Sequence, residues 1–241
     1  MVSKKIVFVS LLSIGTMSLL TGCGSDVNVV KNGVLPAYSE NVTVGNAVES
    51  WAKTQGCATT NWESIITERE EKIVQFTCEL NLDLLRTAED MADNVTEASV
   101  SDAIANVANV TKTSQDNVDQ ANDTRASASD GDSWTEKTLA YGQAVYDNAK
   151  AVDTAKNAVS DAKIRLAKKN IMKANLVIQF PVTVDGKSFN IGYIGRELLY
   201  VDNKESSKIY NNLFAYREIN QNIAFTSEQL APSVDEYDTR K

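Results

Sequence analysis

This chain of 241 residues contains no histidine, three cysteines and three prolines. Each shortage closes off some chemistry. Without an imidazole there is no Ser-His-acid triad and no Cys-His nucleophile, and most zinc hydrolases are excluded too. A metal or other cofactor is not expected, because two free thiolates seldom hold a metal without histidine. Basic residues are also short: 24 Lys and Arg stand against 32 Asp and Glu, a net charge of −8. A chain of that sign gains nothing from phosphate backbones, so nucleic acid is not expected as a partner. It has no basic patch to hold anionic lipid either. Beyond residue 20 no segment is apolar for long enough to cross a bilayer. Glycine-rich phosphate loops are missing.

What is present begins at the N-terminus. Lys4 and Lys5 precede a mostly apolar stretch over residues 6–20. Ser and Gly interrupt it, and it is too short to span a bilayer comfortably, but it suits a secretory signal. The stretch ends on Leu20-Thr21-Gly22-Cys23, which resembles the bacterial lipobox. That resemblance implies a signal peptide over residues 1–22 and a mature chain that starts at Cys23. The cysteine would carry a thioether-linked diacylglycerol and a further acyl chain, such as palmitate, on its new amino group. Each buried methylene contributes about 0.8 kcal/mol, so several acyl chains hold almost permanently. Gly24, where an Asp would signal retention, implies the outer membrane, periplasmic side. Loss of the signal removes two lysines and leaves 22 basic residues against 32 acidic, a net charge of −10. The mature length accommodates one large domain or two small ones.

With Cys23 committed to lipid, Cys57 and Cys78 remain. An exported chain meets oxidising surroundings, where a lone pair of cysteines bridges. Closing that loop is worth about 3 kcal/mol on the chain-entropy view.

Periodicity then divides the chain. Residues 23–33 are expected as a tether, with an extended lead-in over residues 30–36. Thr43 suits a helix N-cap, and Val44, Ala47, Val48, Trp51 and Ala52 follow at helical spacing until Gly56. Trp62 and Ile65 fit a first strand. Val74, Phe76, Cys78 and Leu80 alternate as in a half-buried strand, which turns Cys78 inward where it could reach Cys57. Later, Leu176, Ile178, Phe180, Val182 and Val184 alternate. Asp185-Gly186 reads as a two-residue hairpin turn, and Phe189, Ile191 and Tyr193 resume the pattern. An edge strand is expected over residues 198–201. Ile209, Leu213, Phe214 and Tyr216 fit a closing helix or an irregular amphipathic segment. Residues 226–241 read as a mobile acidic tail.

Between these β portions, residues 83–173 are rich in Ala, Asp, Asn, Ser and Thr and hold no proline. Val145, Val152, Ala155, Val159, Ala162 and Leu166 form a heptad-like seam. Leu84, Ala88, Met91, Val95 and Ala98, followed by Ile104 and Val107, form a looser one. A breaker over residues 124–132 separates the two. An antiparallel helical hairpin of coiled-coil type is the simpler reading, and a disordered insertion is its rival. The expected fold is therefore α+β, one helix packed on one antiparallel sheet. Its halves, residues 34–82 and 174–225, are split by the insertion.

Thr43-Val44-Gly45-Asn46-Ala47, Trp51, Cys57, Trp62 and Val74-Gln75-Phe76-Thr77-Cys78 together resemble a group of small bacterial lipoproteins. That group is similar in fold to the repeat of β-lactamase inhibitory protein and to the small outer-membrane assembly lipoproteins. Val177-Ile178-Gln179-Phe180 with Asp185-Gly186-Lys187-Ser188-Phe189 resembles the sheet-completing half of such domains. The likeness covers residues 30–80 and 174–201. It implies helical elements against one antiparallel sheet, and the long insertion departs from the compact pattern.

Candidate chemistry is sparse. Glu68, Glu70 and Glu71 could suggest paired carboxylates but read as the solvated face of a turn. Asp130-Gly131-Asp132 lacks the remaining ligands of a calcium loop. The Asn-Val-Thr triplets at Asn41 and Asn94, like the one at Asn109, read as accidental. Trp51 and Trp62 read as core. Trp134, among polar residues near the hairpin tip, could anchor a protein partner or cap the seam. The expected function is that of a non-enzymatic, outer-membrane-anchored periplasmic lipoprotein acting as a protein-binding or structural envelope module. The alternative is an inhibitor or exclusion lipoprotein that blocks an enzyme or an incoming element.

Overall fold

The computed structural model describes residues 23–128 and 132–240. Five strands, β1 (Cys57–Ile66), β2 (Lys72–Leu80), β3 (Ile171–Val182), β4 (Tyr193–Tyr200) and β5 (Glu205–Ile209), form one antiparallel sheet in that spatial order. Alternation sets its inner face. Val74, Phe76 and Cys78 of β2 are fully buried and lie opposite Phe180, Ile178 and Leu176 of β3. The two halves of the sequence thus meet at the β2–β3 seam, as the hydrophobic pattern demands of strands that cannot cover themselves alone.

Helices α1 (Cys23–Asn32), α2 (Val44–Gln55) and α5 (Asn212–Asn220) accompany this face. Thr43 caps α2 by accepting the Asn46 N–H, and Gly56 ends it at φ +77°, a left-handed conformation glycine adopts without strain. Trp51 is wholly buried. Its indole donates to the Ile223 carbonyl at 3.0 Å, which satisfies the one polar group it carries inward. Just past Gly56, Cys57 is bonded to Cys78, with Cα atoms 5.4 Å apart. Trp62 on β1 packs on Phe76 at 4.9 Å between ring centroids.

The insertion is a helical hairpin, α3 (Glu97–Ala126) and α4 (Asp132–Lys169), packed along each other. Val100, Val118, Ala155 and Leu166 are buried along their seam. Val95, Val100, Leu166 and Ala167 join the main core, so the base of this arm is continuous with the sheet domain. The first helix starts later than the apolar spacing suggests. Leu82–Leu84 is a 3-10 turn, and α3 opens only at the Thr96–Ser99 capping box. Asn81, Thr87 and Asp90 bond nearby backbone N–H groups in the intervening stretch, competing with helix formation. In consequence Ala88 and Ala98 are exposed, and Met91 is 42% exposed.

Several other expectations change. Residues 23–33 are not a loose tether: all but the last form α1, with Val30 fully buried and Asp26 nearly so. Its valines are weak helix formers, so tertiary contacts rather than propensity hold it, and those are invisible in a local pattern. The expected mobile tail folds as α6 (Ser227–Leu230) and α7 (Val234–Arg240), burying Leu230 and Tyr237. A helix this short presents one anchor and no period. The β3–β4 turn is longer than two residues, since Thr183 and Ser188 close it by a 2.9 Å backbone bond. Gly186 there takes φ +68°, and Val184 is 99% exposed. Phe189 makes only an isolated bridge to Val182, and β4 begins at Tyr193. Before it, Gly192 donates to the Gln179 carbonyl at 2.9 Å and Asn190 to the Pro181 carbonyl at 3.2 Å, but Pro181 offers no N–H in return, so no regular ladder forms there. Residues 198–200 complete β4 rather than forming an edge strand, and Val201 lies in the turn after it; the edge is β5. The closing segment is helical, but Ala215, Tyr216 and Ile219 face inward while Leu213 and Phe214 are exposed.

Candidate docking surfaces

Two surfaces could receive a partner. The first is the arm. At about 1.5 Å per residue, the 38 residues of α4 extend about 57 Å. Its seam is partly polar: Ser114 donates to Asn148, Asn148 donates to Gln115 at 3.3 Å, and the Arg125 guanidinium lies 4.4 Å from the Tyr141 ring. Polar pairs of this kind fix register between helices that small residues would otherwise let slide. On its outside, Leu139 is 71%, Tyr146 63% and Trp134 51% exposed. Leu139 and Tyr146 are seven residues apart, on one side of the helix. Trp134 stands in the first turn of α4, about half of its surface open to solvent. Asp130 and Gly131 lie outside the described residues, as does the side chain of Asp132.

The second surface is the sheet face turned away from the helices. Thr59, Asn61 and Glu63 of β1, Gln75, Thr77 and Glu79 of β2, Lys173 and Asn175 of β3, and Glu197 of β4 line it. A hydrogen-bonded row crosses it, Gln179 to Gln75 at 2.9 Å and Gln75 to Glu63 at 3.1 Å. Lys173 pairs with Glu79 at 3.3 Å. Asn175 Oδ1 and the Tyr193 hydroxyl are buried with no hydrogen-bond partner among the described residues. Burial, followed by the charge of Glu197, pushes the Tyr193 phenol up to about 12. Burial, followed by Glu205, raises the carboxyl of Glu197 above its ordinary range. The polar groups on this face had no distinguishing signal in the sequence, because outward-facing positions of any half-buried strand are polar.

A third cluster joins the surfaces. Arg196 of β4 points into the helix side of the sheet, fully buried, and its guanidinium bonds Glu236 of α7 and the Leu230 carbonyl. The available signal was a charged residue in the inward register between Ile194 and Leu198. At the arm base, Asp90 sits between Lys168 at 3.4 Å and Arg165 at 3.9 Å. Lys169 donates to the Ala92 and Val95 carbonyls.

Of the residues singled out in the sequence, Cys57 and Cys78 come together. Trp134 stands far along the chain from both, on the arm. Cys23 opens α1, and its side chain lies outside the described residues, as do residues 1–22. Glu68, Glu70 and Glu71 lie in the exposed turn between β1 and β2, where Glu70 takes φ +61°. Among the described residues no three acidic or cysteine side chains are grouped to hold a metal, and no helix is long and apolar enough to cross a membrane. No family model, curated protein or solved structure matches this chain.

Proposed function

We propose that this chain is a non-enzymatic lipoprotein of the outer membrane, held on the periplasmic side by acylated Cys23, whose helical arm docks a protein partner. The observation that carries the reading is the arm itself, a long paired-helix projection with Trp134, Leu139 and Tyr146 open to solvent. Exposed aromatics on a stiff support make good anchors, because little side-chain freedom is lost on binding. The Leu20-Thr21-Gly22-Cys23 motif supports the anchor, and the small envelope lipoproteins that the sheet-forming segments resemble support the class. The open sheet face favours a second reading, an inhibitor or exclusion lipoprotein. The Thr59, Asn61, Gln75 and Thr77 side chains that line it offer hydrogen bonds to a protein laid across them.

Shortening the arm separates the two. Joining Val107 to Ala155 through a short turn leaves Val95, Val100 and Leu166 in the core. The shortened chain is expected to fold, remain membrane-bound and fail to co-purify with the partner that the full-length chain crosslinks in cells from position 139. If the partner is retained, the arm reading fails and the sheet face becomes the docking surface. A Cys23→Ser chain that still sediments with the envelope would overturn the anchor.

A further inference from the structure

The anchor cysteine is the first residue of a helix that is itself fixed in the domain, and this constrains how the body sits on its membrane. Asp26, one turn into α1, is buried, pairs with Lys72 at 3.5 Å and lies against the turn holding Gly186. At the other end of α1, Lys31 pairs with Glu49 of α2 at 2.6 Å and lies over the Trp62 ring. A side chain at Gly33 would collide with Phe189, and one at Gly45 with the Lys31 backbone, so the fit is close on two sides. Such a helix has no freedom to act as a leash.

We propose that the sheet end carrying the β1–β2 turn and the β3–β4 loop rests directly on the bilayer, with the arm leaving from the opposite end. This rests on acylation of Cys23, as set out above. Lys72 and Val182 are paired at one end of the β2–β3 ladder. Asp26 touches this end at Lys72 and beside Gly186, and Cys23 stands three residues before it, about 4.5 Å along the helix axis, so the acyl chains leave the body next to the segments 66–72 and 183–188. Ile66 and Val184, 65% and 99% exposed, are the apolar residues there. Glu79 and Asn175 are paired near the other end, where β2 runs out towards the arm and α4 returns through Asn170 into β3. Near the bilayer, Asp26, Glu68, Glu70, Glu71 and Asp185 outnumber Arg69, Lys72 and Lys187. Attraction to anionic headgroups therefore does not create this seat. The acyl chains impose it, and Val184 and Ile66 supply the apolar contact with a zwitterionic surface.

The test uses the full lipidated chain in phosphatidylcholine vesicles that contain nitroxide-bearing lipid. A fluorophore is placed on V184C or, separately, on L139C. Cys57 and Cys78 are bonded to each other and take no label. Both substituted positions are exposed, so folding is spared. At position 184 most of the fluorescence should be lost to lipid nitroxide, and at position 139 none. Equal quenching at both positions, or none at 184 on a chain that still floats with the vesicles, overturns the seat while leaving the anchor intact. A chain that does not float with them overturns the anchor and the seat together.

Discussion

Arg196, fully buried on β4, is bonded to Glu236 on α7. Ser206 and the Ser233 N–H also donate to that carboxylate. The same short helix reaches the arm. Tyr237 donates to Glu97 at the start of α3 at 2.9 Å, and Asp238 accepts from Lys163 of α4 at 2.7 Å. Sheet, C-terminal helix and arm base are thus linked through a charged contact the core encloses.

Removing one member of this contact should be costly. Glu236→Ala leaves a buried guanidinium without its counter-charge, and a loss of about 3 kcal/mol is expected in urea unfolding. The double replacement Arg196→Met with Glu236→Gln should recover most of it, because a well-packed apolar side chain avoids the desolvation. Burial alone would raise the Glu236 carboxyl, but hydrogen bonding and the charge of Arg196 outweigh it and hold it below its ordinary value. Its contribution is therefore present above the usual carboxylate pKa and disappears as pH falls through the lowered value. A wild-type stability profile with no acid-side fall beyond that of Glu236→Gln would contradict this.

Glu197 titrates in the opposite sense. Burial, together with Glu205, raises its carboxyl, so stability falls as pH rises from the ordinary carboxylate range through the raised value. Glu197→Gln removes that fall. A small gain in the thermal midpoint at neutral pH is expected, limited by solvent screening at a partly exposed site. Equal midpoints at neutral pH, with the same profile below it, would argue otherwise.

Gly142 lies inside α4 with nothing within 4 Å of where its side chain would begin. Gly142→Ala should stabilise the arm by about 0.8 kcal/mol through helix propensity alone. Hydrogen exchange should slow around position 142 and stay unchanged in β2 and β3. Slower exchange in the sheet as well would mean that the arm and the body open as one unit.

Reducing the Cys57–Cys78 bond opens a loop with a sequence separation of 21, worth about 3 kcal/mol. The thermal midpoint with reductant should fall to that of a Cys57→Ala, Cys78→Ala chain. An unchanged midpoint on complete reduction would mean that the surrounding core closes the loop unaided.

What could be read from the sequence follows from the reach of each signal. Alternation in β2 and β3, the Thr43 cap, the Gly56 stop and the cysteine pair are local or carried by residue type, and all are found in place. The helical hairpin was legible because its seam repeats over many turns. Short elements were not: α1 and α7 each rest on one or two buried anchors, Val30 and Tyr237, which make no period. Arg196 carries little local signal because a charged residue is ordinarily an outward one, and its partners, the Leu230 carbonyl and Glu236, lie more than thirty residues away. At the β4 boundary Pro181 lacks the N–H that would face residues 190–192, an effect that falls on the neighbouring segment rather than on its own strand.

Because the chain departs from β2 and returns to its neighbour β3, the excursion behaves as a ruler clamped only at its zero mark. Seven residues added to each of its two helices would lengthen it by about 10 Å without altering how its ends enter the body. Reach and stability are therefore set by different parts of the molecule, and descendants of this chain can adjust the gap they span without renegotiating their core.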